Sequence, residues 1–301
     1  MLWLMVAISA YFLFGAVNIV DKYLLAGPIP SPKVYAFYVG ILGILALGLI
    51  PFGFLIIPEI SLILLAILAG IFHILAIFVL FVGLKTFEAS RIVPATGAFL
   101  PLFTFGFTFV LAGGKETLAF SDIIAFILLL LGSLLITWQR GLAISRASLR
   151  IAALAAFLFA LYFILIKFVY LSQPFISGLI WTRIGAVLIA LVFLFSKEVR
   201  EDIFRGPKVF QRKTWAIFLP NQAAGAGAFV LQNWAVALVP LIYLGMVNAL
   251  EGIKYIFILI FAFLLSLKTP QILKEEISRK VIFQKVMAIL LIAGGLALLA
   301  I

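Results

Sequence analysis

The chain has 301 residues, of which 66% are hydrophobic and only 11% charged, with a net charge of +11 and no cysteine. A soluble domain of this size could not hide so much apolar surface, so a bilayer is its solvent, and the continuous apolar runs exclude a transmembrane β-barrel. Without thiols there is no disulfide and no thiolate-held metal or iron–sulfur centre.

Each membrane-spanning helix needs about 20 mostly apolar residues. In chain order the hydropathy predicts ten spans: Leu2–Leu25, Lys33–Ile57, Ile60–Leu84, Ala89–Ala112, Phe120–Gln139, Leu149–Leu171, Phe175–Ser196, Thr214–Leu238, Leu241–Leu267 and Val281–Ile301. The first has no basic leader and no small-residue cleavage site, so it is expected to be retained. Very short connections make the third and fourth spans, and the eighth and ninth, antiparallel hairpins. The basic stretch Lys197–Lys213 is too short for a domain.

A pattern occurs twice. Ala7, Ala10, Phe12, Leu13, Phe14, Ile19 and Lys22 recur 145 positions later as Ala152, Ala155, Phe157, Leu158, Phe159, Ile164 and Lys167, and Gly40 recurs as Gly185. Apolar matches are cheap here, but a lysine in register is not. The expected organisation is a duplicated unit, residues 1–140 and 149–301, joined around Arg140–Arg150. Arg183 and Lys254 fall inside spans; every other lysine and arginine except Lys115 and Lys167 clusters at the connections after odd-numbered spans. The positive-inside rule then puts those connections in the cytoplasm and both termini outside. Five spans per unit is an odd number, so the second copy inserts upside down. The predicted fold class is an all-α membrane protein of ten transmembrane helices in two inverted five-helix repeats. The same distribution attributes the positive charge to anionic lipid headgroups, not to nucleic acid.

Four short motifs carry a family resemblance. Gly83-Leu84-Lys85-Thr86-Phe87-Glu88-Ala89-Ser90-Arg91 and Leu100-Pro101-Leu102-Phe103 lie in the first half. Asn233-Trp234-Ala235-Val236-Ala237 and Asn248-Ala249-Leu250-Glu251 lie in the second. With them the whole chain resembles the drug/metabolite transporter superfamily, specifically its ten-helix EamA-type members. Gly252 departs from that pattern, where proline is common. Gly114-Lys115-Glu116 follows the fourth-helix ending only loosely, and Leu267-Lys268 replaces it in the second copy. The resemblance implies a small-molecule path near the midplane, bordered by the first, third, fourth, sixth, eighth and ninth helices. It also implies export of an amino acid or related metabolite.

A charge in hydrocarbon costs roughly 2.5–3.5 kcal/mol on insertion scales, so each intramembrane ionisable group calls for a reason. Glu251 and Lys254, one turn apart in the ninth span, either line a cavity, with Glu251 holding a cationic group or coupling proton, or neutralise each other. His73, the sole histidine, either titrates at the midplane and meets a substrate carboxylate or bridges two helices in neutral form. Arg183 is a candidate clamp for a carboxylate or phosphate, a structural partner for Glu251, or a snorkelling cation. Its repeat mate is Tyr38, and that asymmetry favours recognition. Asn18, Asn221, Gln222 and Asn248 either contact substrate or hydrogen-bond between helices. Trp181 and Trp234 either stack on a flat or cationic ligand or anchor at the interface. Lys22 and Lys167 are expected as snorkelling anchors or as a symmetric pair of gate residues. The small residues Ala223–Ala228 allow close or sliding helix contact, and Pro94, Pro101 and Pro220 allow bending.

No catalytic constellation, acidic metal-ligand cluster or phosphate-binding glycine loop stands out, so an enzyme is not expected and no cofactor or metal is. The expected function is a secondary transporter of a small polar metabolite working by alternating access, in the cell membrane as a multi-pass protein. Expected partners are that metabolite, membrane lipids, and a proton or other coupling ion. A passive channel or a lipid-translocating membrane protein without coupled transport is the alternative.

Overall fold

A computed structural model describes residues 2–26, 31–87, 89–111, 119–137, 145–205, 212–268 and 279–300. All regular structure among them is helical. Glu88, Gly114-Lys115-Glu116 and residues 140–144 and 206–211, all read above from the sequence, lie outside the described residues, as do the side chains of Lys22, Ser90, Arg91, Pro94 and Lys268.

The helices are α1 (Leu2–Ala26), α2 (Pro32–Ile41), α3 (Ile60–Thr86), α4 (Ala89–Leu111), α5 (Phe120–Thr137) and α6 (Arg146–Ser172). They continue as α7 (Phe175–Phe193), α8 (Lys197–Arg205), α9 (Arg212–Leu238), α10 (Leu244–Ala249), α11 (Glu251–Lys268) and α12 (Arg279–Ala300). Among the described residues six stretches are long and apolar enough to cross a membrane: Leu2–Leu25, Pro32–Phe52, Ile60–Thr86, Arg146–Ser172, Phe175–Phe193 and Leu241–Ile258. They mark the chain as a membrane protein. Ala95–Leu111, Phe120–Ile136 and Phe283–Leu299 are shorter apolar helices.

Two predicted spans are not continuous α-helix. After α2 the chain tightens into a 3₁₀ helix over Leu42–Phe52 and is extended beyond it. Gly43 and Gly48 weaken helix there, Pro51 removes a donor, and Gly53 turns the chain at φ 78°, which glycine adopts without a steric penalty. The ninth span is a 3₁₀ turn, Leu241–Tyr243, followed by α10 and α11. α11 opens with Glu251, where a carboxylate suits the positive end of the helix dipole.

α1 packs on α9 and α11, α3 on α6 and α7, α4 on α6 and α10, and α5 on α12. Among the described glycines, those at the α3–α7 crossing lie closest to a neighbouring backbone. A Cβ on Gly70 would sit 2.0 Å from the Thr182 carbonyl oxygen, and one on Gly185 would sit 2.1 Å from that of Ile67. The small-residue run of α9 is looser: a Cβ on Gly225 would be 3.6 Å from Val17, and one on Gly227 3.8 Å from Leu13. The run still lies against α1, with Ala228 fully buried, but its two glycines leave room for a methyl group.

Lys167 is not a snorkelling anchor. Fully buried, its Nζ donates to the carbonyls of Val236 at 3.0 Å, of Ala237 at 3.1 Å, and of Val239. Helix α9 ends there, and in apolar surroundings its last carbonyls need donors. A cation at this negative dipole end supplies three at once.

The basic loop contains α8, an amphipathic helix with Val199 buried and Phe204 exposed. Glu198 accepts from Ser31 at 2.5 Å and pairs with Lys33 at 3.7 Å, which ties α8 to the start of α2. Burial, then the neighbouring Glu198, raises the Asp202 carboxyl above the usual carboxylate range.

Candidate functional site

Four helices bring an aromatic and cationic cluster together in mid-bundle. Arg183 projects from the middle of α7, and its guanidinium carbon lies 3.4 Å from the centre of the Phe229 ring on α9. His73 of α3 packs its ring 4.9 Å from Phe229, 4.7 Å from Tyr162 and 6.3 Å from Phe159, the last two on α6. Tyr162 and Tyr170, two turns apart on α6, both donate to Asn233 Oδ1, at 2.7 and 3.0 Å. Asn233 Nδ2 in turn donates to the Phe229 carbonyl at 2.9 Å, which fixes the amide. Arg183 is within electrostatic reach of His73, Tyr162 and Tyr170.

Among the described residues Arg183 has no carboxylate partner and makes no hydrogen bond; its recorded contact is the ring face. Pairing with Glu251, one of the readings open from sequence, does not occur. A guanidinium stacked on an aromatic face is partly stabilised, yet its in-plane N–H donors stay available. That arrangement suits a planar anionic group arriving in the guanidinium plane. His73 also makes no hydrogen bond among the described residues, so it does not bridge helices through one.

The remaining predicted residues fall elsewhere. Glu251 and Lys254 pair with each other, with side chains 18% and 11% exposed. Beside them Tyr11 donates to the Val247 carbonyl at 2.7 Å, with Gln232 donating to Tyr11 Oη at 3.4 Å. Asn248, fully buried, donates to Thr104 Oγ1 at 2.9 Å and joins α10 to α4 as an inter-helix bond; its Oδ1 is buried without a partner among the described residues. Asn18 is half-buried without a hydrogen bond among the described residues. Trp234 is 42% exposed and makes no ring contact or hydrogen bond with the cluster that Asn233 joins, among the described residues. Trp181 donates to the Ile56 carbonyl at 3.0 Å and Ser177 donates to the same oxygen at 3.1 Å, which pins the extended segment after the 3₁₀ helix.

Asn221 belongs to a cluster that sequence reasoning missed. Its Nδ2 donates at 2.6 Å to Oδ1 of Asp21, which also accepts from the Tyr35 hydroxyl. Gln222 Nε2 donates to Tyr35 Oη at 3.3 Å. Asp21, beside Lys22 near the end of a predicted span, is not among the candidates named from the sequence. The spacing Tyr11, Asn18, Asp21 (i, i+7, i+10) puts three polar groups on one face of α1, and that periodicity was the available signal.

No family model and no curated protein sequence matches this chain. Solved structures do match: one, described only as "Crystal structure of protein", superposes with a TM-score of 0.72 over 98% of this chain and 97% of its own length, at 14% identity. At that identity the likeness concerns the fold alone.

Proposed function

We propose that this chain is a secondary transporter which moves a small polar metabolite with an anionic group across the cell membrane by alternating access. The observation that carries this reading is Arg183. An uncompensated guanidinium lies mid-bundle on the Phe229 ring, walled by His73 and Tyr162, with no carboxylate opposite it among the described residues. Intramembrane charges that serve architecture are paired, and an unpaired one marks a ligand path. An amino acid or related carboxylate has the planar, bidentate geometry that a guanidinium reads.

In this reading the chain crosses the membrane ten times, as two inverted five-helix repeats of the EamA type, with both termini outside. α3 brings His73 from the first repeat, while α6, α7 and α9 bring the other groups from the second. The site thus lies between the units that rock against each other. The Glu251–Lys254 pair neutralises itself and is not needed to bind substrate.

The test is counterflow in proteoliposomes, with radiolabelled amino acids and other small organic acids as probes. Saturable counterflow that is lost in Arg183→Ala supports the reading. Non-saturable flux through the wild type favours the passive channel, and no flux across the panel overturns transport.

A further inference from the structure

Asp21 lies near the end of α1, half-buried, and the transport reading gives it no task. Its Oδ1 accepts two hydrogen bonds, from Tyr35 of α2 and from Asn221 of α9. Gln222, the next residue of α9, donates to Tyr35. α1 and α2 belong to the first half of the chain and α9 to the second, so one carboxylate oxygen ties the two halves together.

Among the described residues no cation compensates this carboxylate. α2 presents Tyr35, and α9 presents the amides of Asn221 and Gln222. Lys33, near the start of α2, is paired with Glu198 of α8. On α11, Glu251 and Lys254 pair internally. The Lys254 carbonyl is level with Gly15, which is about 9 Å along α1 from Asp21 at 1.5 Å per residue. A carboxylate in such surroundings has two tolerable forms, the hydrogen-bonded anion and the neutral acid. The two forms do not hold the bundle equally. When a proton from water bonds to Oδ2, which accepts no hydrogen bond among the described residues, Oδ1 becomes a neutral carbonyl oxygen; the bonds from Tyr35 and Asn221 lose their charge assistance, and the tie between the halves weakens. When the proton returns to water, the tie re-forms.

We propose that Asp21 is a proton-binding site whose ionised form latches α1 and α2 to α9 and whose protonation releases them, so that the proton is the coupling ion. The purpose of the latch rests on the transport reading, but its test needs no substrate. A failure here therefore leaves counterflow untouched, and a failure of counterflow leaves the latch standing.

The chain has no native cysteine, so Tyr23→Cys on α1 and Ala216→Cys on α9, both exposed, can carry spin labels in the otherwise native protein. Expected is an inter-label distance that lengthens as pH falls, together with an infrared carboxylic-acid C=O band growing over the same pH range. In Asp21→Asn the band loses one carboxyl's share, that of Asp202 and the other acids remaining, and the pH dependence of the distance disappears; in the double variant Glu251→Gln, Lys254→Met the pH-dependent distance remains. Tyr35→Phe keeps the carboxyl but removes a donor to its ionised form, and moves the midpoint to higher pH. This second variant serves even if Asp21→Asn does not fold. A distance that does not respond to pH, a band undiminished in Asp21→Asn, or an unmoved midpoint of the distance change in Tyr35→Phe overturns the proposal.

Discussion

The guanidinium of Arg183 sits 3.4 Å from the centre of the Phe229 ring, with nothing anionic to answer its charge among the described residues. A lone interior cation is a cost to the fold, and a residue retained at a cost is retained for function. Arg183→Met is expected to melt no lower than the wild type in detergent, because an apolar side chain of similar length relieves the uncompensated charge. Binding of a carboxylate probe in the same variant weakens by about 10–100-fold, the worth of a charge-assisted hydrogen-bond pair. A large fall in melting temperature would assign the arginine to the scaffold instead.

His73 is held by rings and not by hydrogen bonds: Tyr162, Phe229 and Phe159 surround it. Phenylalanine fits that company, so His73→Phe should change stability by less than about 1.5 kcal/mol. The check is thermal unfolding of both proteins side by side.

Removal of Lys167 is a different matter. Lys167→Met strands the carbonyls of Val236, Ala237 and Val239 in apolar surroundings. The expected loss is about 3 kcal/mol, read as a lower melting temperature and faster amide exchange at the end of α9. A melt equal to the wild type would mean that the cap contributes nothing.

Glu251 and Lys254 form a pair whose partners should be tested together. Either single change, Glu251→Gln or Lys254→Met, leaves one largely buried charge alone and should cost about 3–5 kcal/mol. The double variant should recover most of that, since it removes both charges. Additive losses in this cycle would show that the two residues are not coupled.

The α3–α7 crossing offers a sharp contrast. Alanine at Gly70 or Gly185 puts a methyl group about 2 Å from a backbone carbonyl oxygen, which no side-chain adjustment relieves; each should cost about 4 kcal/mol or more. Gly225→Ala meets only Val17, at an ordinary contact distance, and should be tolerated. Expression and thermal stability of the three variants separate the cases.

Helices were legible in the sequence because long apolar runs admit few alternatives in a membrane, and α1, α3 and α9 lie within two residues of their predicted limits. Arg183 and His73 stood out for the same reason, as ionisable residues inside such runs. Their neighbours did not. Tyr162, Tyr170 and Phe229 are three aromatics among many, and their convergence depends on how α6 and α9 rotate about their axes, which apolar composition does not encode. The breaks after Ile41 and Ala249 were hidden because 3₁₀ and α segments share hydropathy and differ only in winding.

The place of Lys167 also bears on how α6 and α9 can move. Its charge is spent on two carbonyls in the last turn of α9 and on that of Val239 just beyond it, so it cannot engage headgroups as a free surface cation would. Separating the two helices at this level would strand three carbonyls and one ammonium in apolar surroundings. The part of α6 around Lys167 and the end of α9 therefore travel as one piece.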